Sequence, residues 1–589
     1  MRRWATPRTA VLSLAAVLFF WQLGGHDLWA PDEPYFAEGA REMVVDGEWA
    51  VPHVNGRVTT DKPPLFFWLI ALASLIFGEV TPWTARLPSA LAGLATVALT
   101  LRLGTRLAGP RTAALAGFVL CTTYLFWEKA RWSQTDSVLC CLIWVALSAF
   151  EAFRAGDVRG RRAGLLFWLA AALAVLVKGP VGLLLPLGIA LVTLAADHDL
   201  GRFRRFAPLS GPLLFVLLVG TWMVLATVGS GGEYSVWGAL EEHFLDRGIH
   251  GLHHAQPPWY FLEALPPNLL PWTGLIPGAL VLAFRRRSAA DSFLLAAALF
   301  VLVFFSVSTE KRELYALPAL PAFALLVAGL VGRVCRWREV PATAEIDRRW
   351  VSIGVGVTGG LLAVAGLITP FAATRLASVP LSVTLVTGTV LAVGGTTVVY
   401  LAARVSRLSA TLSLGACAAT AYLLVVTAVY PRLEPMKSAR AFSVRMKEVT
   451  ADARERGLPI VTYGLSNLPE AFAFYTDGVY TLETTDPARL IMHLERPEKV
   501  FAAVAGRELG HLPPDLLERL YVVDSTHLAR RDVLLVTNRE HRGARRWIDP
   551  PSPLHEAGYD VWQPAERRSI HLDLPWPGIV KRGTGNAGG

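Results

Sequence analysis

Apolar runs recur along this chain from Val11 to Tyr430, interrupted at short intervals by polar and basic clusters. Many of them reach the roughly 17–25 residues that a helix needs to cross a bilayer. The pattern predicts about thirteen membrane spans, over 10–24, 83–105, 111–130, 134–154, 163–177, 180–196, 208–228, 267–284, 289–307, 314–334, 350–370, 380–403 and 408–430. Lys178-Gly179-Pro180 splits the stretch 163–196, and the charges of the flanking loops favour two helices there over one broken helix. After Tyr430 the pattern changes. Ser438–Arg454 has helical periodicity and Pro469–Tyr475 fits a short helix, whereas Pro459–Tyr463, Lys499–Ala505 and Asp532–Thr537 read as strands. The expected fold class is a polytopic α-helical membrane protein, with a transmembrane domain over 1–430 and a small C-terminal α/β domain over 431–541. Residues 542–589 are basic and rich in Pro and Gly, and predict a flexible tail.

Composition strengthens this reading. Of 589 residues, 53% are hydrophobic and 17% charged, against about 25% charged in an ordinary soluble chain. The net charge of +9 resides in loops. Arg102/Arg106/Arg111, Arg154/Arg159/Arg161/Arg162, Arg202/Arg204/Arg205, Arg285–Arg287, Arg333/Arg336/Arg338 and Arg404/Arg407 fall in alternate loops, on the same side as Arg2 and Arg3. The positive-inside rule makes that side cytoplasmic. An odd number of spans then puts the C-terminal domain and the first loop, 25–82, on the extracytoplasmic face. The charge therefore reports topology, and nucleic acid is not an expected partner. The first span reads as an uncleaved anchor, because Gln22-Leu23-Gly24-Gly25-His26-Asp27 offers no small-x-small cleavage site. Cys121, Cys140, Cys141, Cys335 and Cys417 lie in or beside spans and form no disulfide framework or CxxC motif.

Lysine usage points to chemistry. Only eight of the 56 Lys and Arg residues are lysine, and the four in the membrane domain, Lys62, Lys129, Lys178 and Lys311, all fall at its outer side. A compact ammonium suits a phosphate as a point charge. Lys129 is equally explained as a helix-end lysine that snorkels. Lys178 interrupts an apolar stretch, where an ionisable group is costly unless paired or functional. Lys311 and Tyr315 stand four apart at a helix start and would share a face. Asp136 opens a span, a place the helix dipole alone favours for a carboxylate. The outer loop 230–266 adds Glu241, Glu242, His243, Asp246, Arg247 and three more histidines, without a compact ligand spacing such as HExxH. Trp259 and Tyr260 in the same loop fit an aromatic belt at the interface.

Carboxylates (Asp32, Glu33, Asp61, Asp136) and cations (Lys62, Lys178, Arg247, Lys311, Arg312) thus gather on the outer face. Helical pieces of the first loop, such as 35–46, would lie along the membrane surface. This suits a lipid-linked phosphate and a polar acceptor. Cations would stabilise a phosphate leaving group, and a carboxylate would serve as general base on an acceptor hydroxyl. No nucleotide-binding motif is present, which favours a lipid-borne donor over a nucleotide sugar.

The segments DEPYFAEGAREMVVDGEW, VNGRVTTDKPPLFFW, ARLPSAL, LVKGPVGLLLPL and KRELYALPALPAFALL, with EEHFLDRG and PPWYFLEALPPNLLPW, occur in that chain order except that the last two precede KRELY. Together they resemble the bacterial membrane glycosyltransferases of the aminoarabinose–lipid A transferase (ArnT-like) type, relatives of the protein O-mannosyltransferases in the GT-C superfamily. The resemblance covers about residues 10–450. It implies a GT-C fold and an inverting transferase that takes a sugar from a polyprenyl phosphate, undecaprenyl phosphate in bacteria, and passes it to an extracytoplasmic lipid or protein acceptor. It also implies Asp32 as the catalytic acidic residue with Glu33 beside it, and Lys62 as a contact to the donor phosphate with Arg247 and Tyr315 as partners. Lys311 and Arg312 join that phosphate set, and Asp136, Lys178 and Tyr35 become polar positions of the cavity. Asp61 with His243 matches the divalent-metal position of some members; no cofactor is otherwise required. Lys311-Arg312-Glu313 is more charged than the aminoarabinose enzymes have at this place, which leaves the sugar open and the acceptor open among lipid A, another envelope glycolipid, a polysaccharide and protein. A lipid-linked sugar transporter or flippase is the rival class. It would place polar sites in mid-membrane and show internal repeats, and the chain has no such repeat.

Overall fold

In the computed structural model, the described residues are 5–60, 62–157, 160–206, 209–234, 256–335, 344–373, 380–528 and 531–547. Asp61, His243 and Arg247 lie outside them. Among the described residues, nine helices are long and apolar enough to cross a bilayer, or ten when the bent pair Tyr260–Asn268 and Thr273–Arg286 counts as one span. Shorter apolar helices occupy Pro7–Phe20, Pro110–Cys121 and Val181–Ala196, so every expected span carries an apolar helix. The helices Gly160–Lys178 and Val181–Ala196 are separate, with Gly179 at φ 71° between them. Large apolar side chains stay exposed on the spans, among them Leu213, Val216 and Val224 on Ser210–Gly229 and Leu361 and Phe371 on Ala344–Ala373. In a membrane protein those faces meet lipid rather than water, and their burial there needs no protein partner.

The first loop has more structure than its polarity suggests. After α1 (Ala5–Phe20) come α2 (Asp32–Asp46), a hairpin of β1 (His53–Val54) and β2 (Arg57–Val58), and α3 (Leu65–Phe77). The hairpin turn is Asn55-Gly56, with φ of 56° and 70°, the two left-handed residues that a two-residue type I′ turn demands. The helix α3 reads LFFWLIALASLIF and is a further apolar helix inside a loop expected to be interfacial. It packs its Phe66 and Phe67 against Phe36 of α2, with ring centroids 4.9 and 5.3 Å apart. Beyond it, α4 (Pro82–Ala108) starts with a Thr81/Thr84 capping box and Pro82 in the first turn.

The C-terminal domain is built on a six-stranded sheet in the order β4-β3-β5-β7-β6-β8. Its strands are β3 (Ile460–Tyr463), β4 (Thr481–Thr484), β5 (Phe501–Ala505), β6 (Tyr521–Leu528), β7 (Arg531–Thr537) and β8 (Arg545–Arg546). β3 pairs parallel with both β4 and β5, and the remaining pairs are antiparallel. β3, β5 and β7 are nearly continuous apolar runs buried on both faces, which is why they are legible in the sequence. β4 is a partly exposed edge, and β6 carries polar residues and a bulge between Val522 and Asp524; neither has a clean alternation to read.

This domain is docked on the first loop. Asn55 at the hairpin tip donates its side-chain amide to Thr481 O and accepts from Thr481 N, both at 3.0 Å. Its amide mimics a strand peptide and so covers part of the open edge of β4. A Cβ on Gly56 would stand 2.9 Å from the Tyr480 ring, so glycine is required there by both φ and space. Leu28 N donates to Tyr475 Oη at 2.7 Å, and Trp29 bridges to Ser438 as an isolated antiparallel pair. Asp27 accepts from Ser438 Oγ at 2.7 Å.

Candidate active site

Two adjacent carboxylates open α2, where the helix N-terminus favours negative charge. They point to different places. Glu33 is wholly buried and turned into the protein, where Arg86 of α4 donates through Nε at 2.6 Å and Nη2 at 2.8 Å. Trp29 N and Ser133 N each donate to it at 3.1 Å. Burial pushes its pKa up, but the Arg86 charge and hydrogen bonds outweigh this and hold it below the usual carboxylate value. Arg86 also donates to the carbonyls of Leu23, His26 and Asp27. Expected beside Asp32 as a catalytic group, Glu33 instead has its oxygens saturated with fixed donors and holds the start of α2 against α4.

Asp32 faces a cavity of about 340 Å³. The elements around it converge from distant parts of the sequence. α2 supplies Asp32 and Phe36, and the loop before α3 supplies Lys62. The start of helix Thr135–Arg154 brings Gln134, Thr135 and Asp136, and the end of helix Gly160–Lys178 brings Lys178. Glu310, Arg312 and Tyr315 come from the segment before helix Leu320–Val334, and Asn467 comes from the C-terminal domain. Within this chamber, Gln134 Nε2 donates to Asp32 Oδ2 at 2.5 Å and Arg312 Nη2 approaches the same oxygen at 3.4 Å. Lys178 Nζ pairs with Asp136 Oδ1 at 2.6 Å and lies over the Tyr315 ring, 4.9 Å from its centroid. Burial lowers the pKa of Arg312, and the nearby Asp32 and Asp136 more than compensate, so its charge is secured. The chamber is therefore a mixed site, with three cations and three carboxylates around one opening.

Six of the expected residues, Asp32, Lys62, Asp136, Lys178, Arg312 and Tyr315, line this one cavity. The others do not. Lys311 is 3% exposed and donates to the carbonyls of Gln256 and Ser308, so it staples the segment before Tyr260 to the end of helix Ala289–Val307. Tyr35 points to Thr59, with the hydroxyls 2.6 Å apart. Lys129 pairs with its neighbour Glu128 at 3.1 Å. Among the described residues no group of three or more His, Cys, Asp or Glu could hold a metal ion; Asp61 and His243, the expected metal pair, are outside them. Sequence reasoning passed over Gln134, Glu310 and Asn467. Gln134 carried a faint signal, two residues before Asp136; Asn467 carried none.

Two further cavities, of about 350 and 340 Å³, sit at the opposite ends of the spans, lined by Arg286, Asp291 and Arg333 and by Arg102, Arg106 and Arg162. The first has one carboxylate between two arginines and the second has no carboxylate, against three carboxylates and three cations in the Asp32 chamber.

The fold and this chamber define a polytopic membrane protein with a polar, charged cavity at one end of its spans. Comparison with known proteins narrows it. Residues 61–224 match the family model described as dolichyl-phosphate-mannose-protein mannosyltransferase. The chain is 31% identical over 317 residues to the undecaprenyl phosphate-alpha-4-amino-4-deoxy-L-arabinose arabinosyl transferase of Edwardsiella ictaluri, a match covering 53% of this chain and 57% of that protein. It is 32% identical over 325 residues to the enzyme of the same name from Pseudomonas aeruginosa, covering 54% of this chain and 58% of the relative. The chain thus spans somewhat more than half the length of the curated relatives it matches. The crystal structure of ArnT from Cupriavidus metallidurans in the apo state superposes over 90% of this chain and 97% of its own, with a TM-score of 0.72 and 22% identity. The structure of the same protein bound to undecaprenyl phosphate gives a TM-score of 0.70 at 22% identity, over 90% of this chain and 98% of that one. The chain therefore shares the fold of ArnT.

Proposed function

We propose that the protein is an inverting glycosyltransferase that moves a sugar from undecaprenyl phosphate to an extracytoplasmic envelope glycolipid of the lipid A class. The observation that carries this reading is the chamber itself, where Asp32 stands among Lys62, Lys178 and Arg312 at one end of the spans. The acceptor oxygen attacks the anomeric carbon as the bond from that carbon to the lipid phosphate breaks. The phosphate leaves with the bonding electrons, and the cations stabilise the charge it gains. Asp32, oriented by Gln134 and Arg312, takes the proton of an acceptor hydroxyl; an acceptor phosphate arrives ionised, and Asp32 then orients it. The names of the relatives, and the ArnT structure with undecaprenyl phosphate bound, support this donor. The arginine-rich loops support an inner-membrane location with the chamber and the C-terminal domain outside.

The test is transfer of radiolabel from undecaprenyl-phosphate-linked sugar in membranes. Asp32→Asn and Lys62→Ala are expected to insert normally and to lower the rate by about 10²–10⁴-fold for the carboxylate. Full activity in both variants overturns the proposal. The family model matched over 61–224 favours a second reading, transfer to protein. Label recovered in protein rather than in the lipid extract would select it. Uptake of intact donor into proteoliposomes without covalent transfer would instead indicate a transporter.

A further inference from the structure

Asn467 is the lone chamber residue, among those described, contributed by the C-terminal domain. It sits in the loop between β3 and helix Pro469–Tyr475 with φ 70°, a left-handed conformation that asparagine tolerates better than most residues. The loop around it is held firmly. Leu465 and Leu468 are buried in the domain core, and Arg531 reaches Ser466 O at 3.4 Å. Gly464, at φ 70°, lies where a Cβ would stand 2.6 Å from Glu508. Asn467 itself is exposed to the chamber, and its side-chain amide has no hydrogen-bond partner among the described residues. A neutral amide presents donors and an acceptor together. The other amide of the chamber, Gln134, spends its Nε2 on Asp32 and keeps its Oε1 buried, away from an incoming substrate.

The position also separates it from the donor phosphate. Lys62, Lys178 and Arg312, the cations suited to that phosphate, all come from the membrane domain, where a polyprenyl chain must lie. Asn467 enters from the domain docked over the outer face, the side from which a second substrate's polar head group approaches. We infer that Asn467 is a specificity-determining residue that hydrogen-bonds a hydroxyl of the acceptor glycolipid's head group, so that the C-terminal domain forms part of the substrate site. This inference rests on the transfer reading above.

Asn467→Gly isolates the amide, because glycine adopts the left-handed backbone without strain; Asn467→Asp keeps the shape and adds a negative charge. The full chain, reconstituted in proteoliposomes, is supplied with radiolabelled undecaprenyl-phosphate-linked aminoarabinose and purified lipid A, each varied in turn. Loss of one neutral hydrogen bond predicts a rise of about three- to tenfold in the lipid A concentration for half-maximal rate, with the donor value unchanged. Asn467→Asp, facing the lipid A phosphates, is expected to raise it further. Arg312→Ala is expected to move the donor value instead. An Asn467→Gly enzyme that matches the parent in both values, or shifts the donor value alone, overturns the inference while leaving the transfer reading intact. A parent that moves no label to lipid A overturns the transfer reading and this inference with it.

Discussion

At the scale of residues, the chain separates two neighbouring carboxylates by what surrounds them. Glu33 and Arg86 are both fully shielded from solvent, so removing one partner leaves a buried, uncompensated charge. Arg86→Met is expected to destabilise the protein by about 3–5 kcal/mol, and the double variant with Glu33→Gln to regain part of that loss. Thermal unfolding in detergent checks both. The same pair sets a pH dependence. Because Glu33 titrates below its ordinary value in the fold, its stabilisation is present above the unfolded value of about 4.5 and is lost as pH falls below it. Asp32, in contrast, is partly open to the chamber. Asp32→Asn should therefore slow the proposed transfer by about 10²–10⁴-fold while leaving the unfolding temperature within about 2 °C of the parent, a small surface-like effect.

At the scale of elements, the first loop works as a docking plate for the C-terminal domain. The Asn55–Thr481 pair joins residues 426 positions apart by two hydrogen bonds. Asn55→Ala leaves the Thr481 peptide groups unsatisfied at a cost of about 1–3 kcal/mol. The expected sign is faster hydrogen exchange over β4 with the membrane helices unchanged. On the neighbouring face of α2, burial, together with the adjacent Glu38, raises Glu42 to about 8. Arg41 is bound bidentately to Glu38, and Tyr480 lies against the same group. Glu42 thus keeps a proton in the fold that it gives up when unfolded above about 4.5. The folded state binds more protons between 4.5 and about 8, so stability falls as pH rises through that window. Glu42→Gln should flatten this decline, read as domain release by limited proteolysis between pH 5 and 9.

At the scale of the whole molecule, the proposed topology places both ends of the chamber wall outside. A tag following β8 is expected to be cut by protease added to spheroplasts, and a tag at residue 286, in an arginine loop, to be protected until lysis; the reverse pattern would falsify the orientation. Much of the architecture was legible in advance because hydropathy is a local property. Twenty apolar residues must leave water wherever they fall, and arginine clusters orient them without knowledge of the fold. The buried strands β3, β5 and β7 were readable for the same reason. The signal Asn55-Gly56 was also present in the sequence, although its partner was not. Tertiary structure alone decided which polar groups meet. It turned Glu33 into a brace and left Asp32 facing the chamber, although the two are adjacent in sequence and alike in chemistry. It tied Lys311 to two carbonyls, away from the cavity that receives Arg312. It carried Asn467 from a separate domain into that cavity. The sequence by itself determined the class of molecule and the charges available to it. The division of those charges between support and chemistry depends on packing between distant segments, because a side chain's role is set by the partners that surround it in space.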